Sequence, residues 1–208
     1  MLNLLSQNPF GFVIAIGVLL FSIAWHECGH ALSADYLGDP TPRAQGRITL
    51  NPLKHIDFTG LLFIVFWGFG WGKAVQVDYY NLKRPYRDAA LVALAGPVMS
   101  ILLAVMGSLV LRFIPVFGFD GVVTYVISLN IMLAVFNLVP IYPLDGFHVV
   151  AGILSEEKRN EWLGLRKYGI FVLLLLLLPL GSARGPLQLF IDPVIQFVER
   201  LLLPGGII

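Results

Sequence analysis

Apolar residues run almost unbroken over residues 10–25, with only glycines and Ser22 between them. Continued through residues 26–37, the run is long enough to cross a bilayer, which takes about 20 apolar residues in a helix. Gly38-Asp39-Pro40 stops it, since glycine and proline punctuate helix ends. Residues 89–111 and 122–142 repeat the pattern and predict a second and a third span. Residues 145–154 stay apolar after a break that contains Pro140 and Pro143. Residues 168–180, with an unbroken leucine run, predict a fourth span. Residues 187–203 carry Asp192, Glu199 and Arg200, and predict a fifth span or a helix lying in the interface. The pattern specifies an all-α polytopic membrane protein with about four to six membrane helices.

Polar, turn-rich sequence fills residues 43–57, where residues 47–50 look extended. Residues 61–71 are apolar but too short to cross alone, and two glycines interrupt them. A short re-entrant, β-like segment is therefore expected near residues 45–75. Charge supports a dip over a crossing. Arg43, Arg47 and Lys54 precede this segment, and Lys73, Lys83, Arg84 and Arg87 follow it. Basic loops favour the cytoplasm, and only a segment that returns leaves both loops on that side. Residues 155–167 are the most charged stretch and read as a cytoplasmic linker.

Composition agrees with the pattern. Hydrophobic residues make up 57% of the 208 and charged residues 13%, about half the charged share of a soluble chain. The net charge of +1 offers no footprint for nucleic acid. Cys28 is the single cysteine, which excludes an internal disulfide. Residues 1–10 lack the positive charge that starts a secretory signal, so the first apolar run is expected to be a retained membrane helix. No internal repeat or soluble accessory domain is evident. Residues 1–208 are expected to form one intramembrane unit, with a core at 10–154 and C-terminal membrane helices at 168–203.

The chemistry begins at His26-Glu27-Cys28-Gly29-His30, an HExxH pattern. Histidines at i and i+4 share one helix face, so two imidazoles can reach one zinc. Glu27 then stands beside the metal as a base for the attacking water. Ionisable groups that follow directly on an apolar run are costly at membrane depth and mark function. Catalytic zinc takes three protein ligands. The third comes from Asp145, His148 or His55, with Asp145 favoured because it too is a carboxylate in apolar surroundings. Aspartate at that position could equally cap a helix. His148, three residues further on, can face the same site as a ligand, a supporting residue or a packed side chain. His55 lies in a polar loop.

These residues resemble the site-2 protease family. The HExxH at the end of a membrane helix is one match. Asn137-Leu-Val-Pro140-Ile-Tyr-Pro143-Leu-Asp145-Gly146 is similar to the family's NxxPxxPxxDG motif, and Ala95-Gly96-Pro97 opens a span between the two. Residues 47–57 look like a segment of the compact bacterial and archaeal members. The likeness spans residues 12 to about 154. It implies that Asp145 completes a site for one zinc per chain with His26 and His30. It also implies that Asn137 stabilises the oxyanion, a task suited to an amide NH2. Ser100 stands where the family often has asparagine, and His148 where relatives often have arginine. Both are candidates for support or substrate contact, as is His55. The resemblance further implies a membrane core without PDZ-like or CBS-like domains, in the cell membrane, with its active site near the cytoplasmic side. The expected substrate is a membrane-spanning protein. The rival readings are a metal transporter and a non-proteolytic metal-binding scaffold. Neither needs Glu27 between the ligands, and no inverted repeat supports the first.

Overall fold

The computed structural model describes residues 2–67, 70–179 and 185–205. Residues 68–69 of the predicted dip and residue 180 of the predicted fourth span thus lie outside the described residues. The helices in chain order are α1 (Leu2–Gln7), α2 (Pro9–Tyr36), α3 (Thr41–Ala44), α4 (Phe58–Trp67), α5 (Pro85–Phe113), α6 (Asp120–Asn137), α7 (Asp145–Ile153), α8 (Glu156–Gly164), α9 (Arg166–Leu177) and α10 (Pro186–Leu202). The described residues contain no strand, and the all-α membrane fold is as expected.

Three helices, α2, α5 and α6, are long and apolar enough to cross a membrane. The expected fourth span is shorter than its composition suggested. Helix α9 ends at Leu177, just before Pro179, and its 12 residues rise only about 18 Å at 1.5 Å each. Helix α10 has 17 residues, an internal proline and charged side chains.

Small residues let α2 and α5 approach closely, as is usual between membrane helices. Ala24, Cys28, Ala31 and Ala34 of α2 are buried, as are Ala89, Ala93 and Gly96 of α5. Ala104, Ile127, Ile131 and Leu203 form the core where α5, α6 and α10 meet. Deep between α2 and α6, Asn130 donates to Ser22 Oγ at 2.8 Å. Arg112 of α5 donates to the Leu201 carbonyl at 3.0 Å, tying down the C-terminal end of α10.

The segment after α3 does dip and return. Ile56 pairs antiparallel with Gly72, so the two ends of the α4 excursion lie side by side. At Gly60 a β-carbon would collide with the Trp71 carbonyl oxygen, so only glycine admits the returning chain. Among the described residues, the β-like character is confined to that one bridge. Residues 47–50 bend instead of extending, and Thr49 N–H donates to the Arg47 carbonyl at 2.9 Å. Their arginine is used elsewhere. The Arg47 guanidinium donates to the carbonyls of Lys54 and Lys73, one on each arm of the excursion.

Candidate metal centre

The HExxH sequence falls in the last third of α2, with its two histidines facing α5 and α7. His26 and His30 are buried, and Asp145, at the first position of α7, comes against them. His26 Nε2 lies 3.1 Å from Asp145 Oδ2 and 3.1 Å from His30 Nε2. His30 Nε2 lies 3.4 Å from the same oxygen. Three donor atoms from two distant parts of the chain thus form a nearly equilateral triangle.

The other ring nitrogens are also held. His26 Nδ1 lies 2.9 Å from Ser100 Oγ, and His30 Nδ1 donates to the Val92 carbonyl at 2.8 Å. A neutral imidazole that donates through Nδ1 presents a bare lone pair at Nε2. The bond to Val92 thus turns the His30 Nε2 lone pair toward His26 Nε2 and the Asp145 carboxylate, at 3.1 and 3.4 Å. A tetrahedral ion with metal–ligand distances of about 2.0–2.1 Å has its ligands about 3.3 Å apart, which matches the triangle. Back bonds from ligating histidines to carbonyls and hydroxyls are the usual means of fixing ring orientation. The residues present fit zinc.

Glu27 lies within the same group. One of its carboxylate oxygens and the two imidazole nitrogens all lie within 4.8 Å of one another. Its Oε2 accepts the Val75 N–H at 3.0 Å, from the irregular run that follows the dip. Gly96 makes room for the pair. A β-carbon there would run into His30 Nε2 and stand 2.6 Å from His26 Nε2.

The remaining candidates fall into two groups. Ser100, fully buried on α5, supports His26 directly. Asn137 ends α6, and its Nδ2 donates to the Leu133 carbonyl one turn back at 2.8 Å. His148 sits one turn beyond Asp145 on α7, and its Nδ1 lies 3.0 Å from the Tyr79 hydroxyl. His55 is brought under the dip instead, where its Nε2 donates to the Thr49 carbonyl at 3.0 Å. Val75, Val92 and Tyr79 escaped the sequence. The first two act through backbone groups, which leave no signature in residue type, and Tyr79 stands in a polar loop without periodicity.

Residues 114–180, which include Asp145 and His148 but not His26 or His30, match the family described as Peptidase family M50. Over 175 residues the chain is 35% identical to "Putative zinc metalloprotease YwhC" of Bacillus subtilis, covering 79% of this chain and 80% of that one. It is 31% identical over 176 residues to "Putative zinc metalloprotease Rip2" of Mycolicibacterium smegmatis, covering 80% and 67%. Over 157 residues it is 26% identical to "Zinc metalloprotease MJ0392" of Methanocaldococcus jannaschii, covering 75% of this chain and 38% of that one. No solved structure matches the chain.

Proposed function

This chain belongs to peptidase family M50, the site-2 protease family of zinc metalloproteases, and from that premise we propose that it hydrolyses peptide bonds in or near the membrane-spanning segments of other proteins. The observation that carries the proposal is the buried triangle of His26 Nε2, His30 Nε2 and Asp145 Oδ2 with Glu27 beside it. A site at that depth, flanked by spans, meets substrates that are themselves in the bilayer.

His26, His30 and Asp145 hold the zinc in this proposal, one ion per chain. Zinc supplies Lewis acidity toward the scissile carbonyl and the attacking water. Glu27 accepts the water's proton and returns it to the leaving amine. The Val75 N–H bond to Oε2 fixes the carboxylate and leaves Oε1 for that transfer. Asn137 spends one amide hydrogen on Leu133, and the second donates to the charge that develops on the substrate oxygen. The Val92 carbonyl keeps His30 in the tautomer that presents Nε2, and Ser100 holds the His26 ring in place. A substrate helix must unwind before its carbonyls are free. The run around Val75 lies next to the base and offers backbone partners to the unwound strand.

The protein is proposed to sit as a multi-pass protein in the cell membrane, with the site near the cytoplasmic face. Residues 1–208 act as one unit, with 10–154 as the catalytic core. Glu27→Gln is the direct test. Glutamine keeps the shape and cannot take the proton, so zinc content should match wild type while cleavage of a single-span substrate falls about 10²–10⁴-fold, the scale of losing a general base. A zinc chelator should abolish the wild-type activity. Cleavage by Glu27→Gln at the wild-type rate would overturn the mechanism.

A further inference from the structure

One histidine beside the centre is oriented with unusual care for a side chain with no assigned task. His148 lies on α7 one turn beyond Asp145, and side chains three apart on a helix share a face, with β-carbons about 5–6 Å apart. Its ring meets Phe147, Tyr79 and Tyr142 edge-on, with centroids at 5.6, 6.4 and 6.4 Å. The wall is itself braced. Arg166 lies over the Tyr142 ring at 4.7 Å and donates to its hydroxyl at 3.1 Å, while Arg159 lies over Tyr86, the neighbour of Tyr79, at 4.4 Å. Tyr79 is placed in turn by the buried Asp39. Its carboxylate accepts from Asp78 N–H at 2.7 Å and from Asn81 Nδ2 at 2.9 Å, on either side of the tyrosine.

The hydrogen bond to Tyr79 decides what His148 presents. A phenol hydroxyl donates better than it accepts, and the Tyr79 hydroxyl meets no other partner among the described residues. It therefore donates to Nδ1, and the ring proton of neutral His148 resides on Nε2. That N–H has no protein partner among the described residues and is only half buried.

We propose that His148, held in its Nε2–H tautomer by Tyr79, is a further catalytic residue that donates a hydrogen bond to the substrate oxygen attacked at the zinc site. Tyr79 acts through it as a positioning residue. This rests on the protease reading above. Asn137 has one amide hydrogen engaged by its own helix, so a second donor on α7 completes the pair that stabilises developing charge.

The test compares Tyr79→Phe, His148→Ala, His148→Gln and the double variant of Tyr79→Phe with His148→Ala, beside Glu27→Gln. Zinc content should be unchanged in all of them. His148→Ala should lower kcat about 10²-fold with KM within about twofold, as for the loss of one oxyanion donor. His148→Gln, which keeps an N–H near the Nε2 position, should recover about tenfold of that. Tyr79→Phe should cost about fivefold alone and nothing further on top of His148→Ala, the signature of action through one residue. A readout independent of turnover is ¹⁵N NMR of the four ring systems in histidine-labelled protein. It should report His148 as Nε2–H in wild type and as a tautomer mixture in Tyr79→Phe. An Nδ1–H signal assigned to His148 in wild type, or wild-type kcat in His148→Ala while Glu27→Gln is inactive, overturns the role of His148 and leaves the protease reading intact. Wild-type activity in Glu27→Gln as well removes the premise and the inference together.

Discussion

A methyl group at position 96 would press on both imidazoles at once, and neither can swing clear while its Nδ1 is tied to Ser100 or Val92. Gly96→Ala is therefore expected to lower zinc content at least tenfold under the proposed assignment. Alanine is the better helix former by roughly 1 kcal/mol, so helical content by circular dichroism should hold. Full zinc occupancy in Gly96→Ala would show that the ion is not held between these rings. Part of this residue pattern is legible in the sequence. His26, Glu27, His30 and Asp145 stand out because ionisable side chains are too costly in apolar runs to persist there without a task. Gly96 is visible as part of a motif, yet its reason is visible only once α5 is laid against α2. Asn137 and His148 are visible as types without their partners, since a hydrogen bond to Leu133 or Tyr79 depends on the fold.

The loop elements carry a pH dependence of their own. Asp39 is fully buried, and burial pushes its carboxyl up. Hydrogen bonds from Thr41, Asn81 and Asp78 outweigh that and hold it below the ordinary carboxylate range. A carboxyl with a depressed folded-state value contributes stability at high pH and loses it as pH falls through that value. Anchoring of residues 78–81 should thus persist above about pH 4, the ordinary aspartate value, and weaken as the solution is acidified below it. Limited proteolysis of that loop against pH measures this. Asp39→Asn should open the loop already at neutral pH, because its NH2 group must face a donor, at a cost on the order of 1–3 kcal/mol. Equal proteolysis rates in Asp39→Asn and wild type at pH 7 would assign the anchoring elsewhere. Long spans are legible from hydrophobic runs alone. The shorter elements are less so. Residues 47–50 bend where their sequence suggested an extended segment, because Arg47 turns inward to hold both arms of the dip. The leucine run of α9 stops at Leu177 under the influence of Pro179.

At the scale of the whole molecule, pairing of Ile56 with Gly72 lays the two ends of the α4 excursion side by side, so both flanking loops are expected on one face of the membrane. Lys54→Cys and Lys83→Cys, each on a Cys28→Ser background, should be labelled by an impermeant thiol reagent from the same, cytoplasmic, face. Labelling from opposite faces would require the segment to cross. The bundle also gathers its central triangle from remote stretches of chain. Asp145 follows His26 by 119 residues. At roughly 5–20 residues per second of synthesis, the third corner emerges on the order of ten seconds after the first two. During that interval the newborn polypeptide has a paired-histidine half-site and no closed centre. Under the proposed assignment, full zinc coordination therefore follows the synthesis of α7 and cannot precede it.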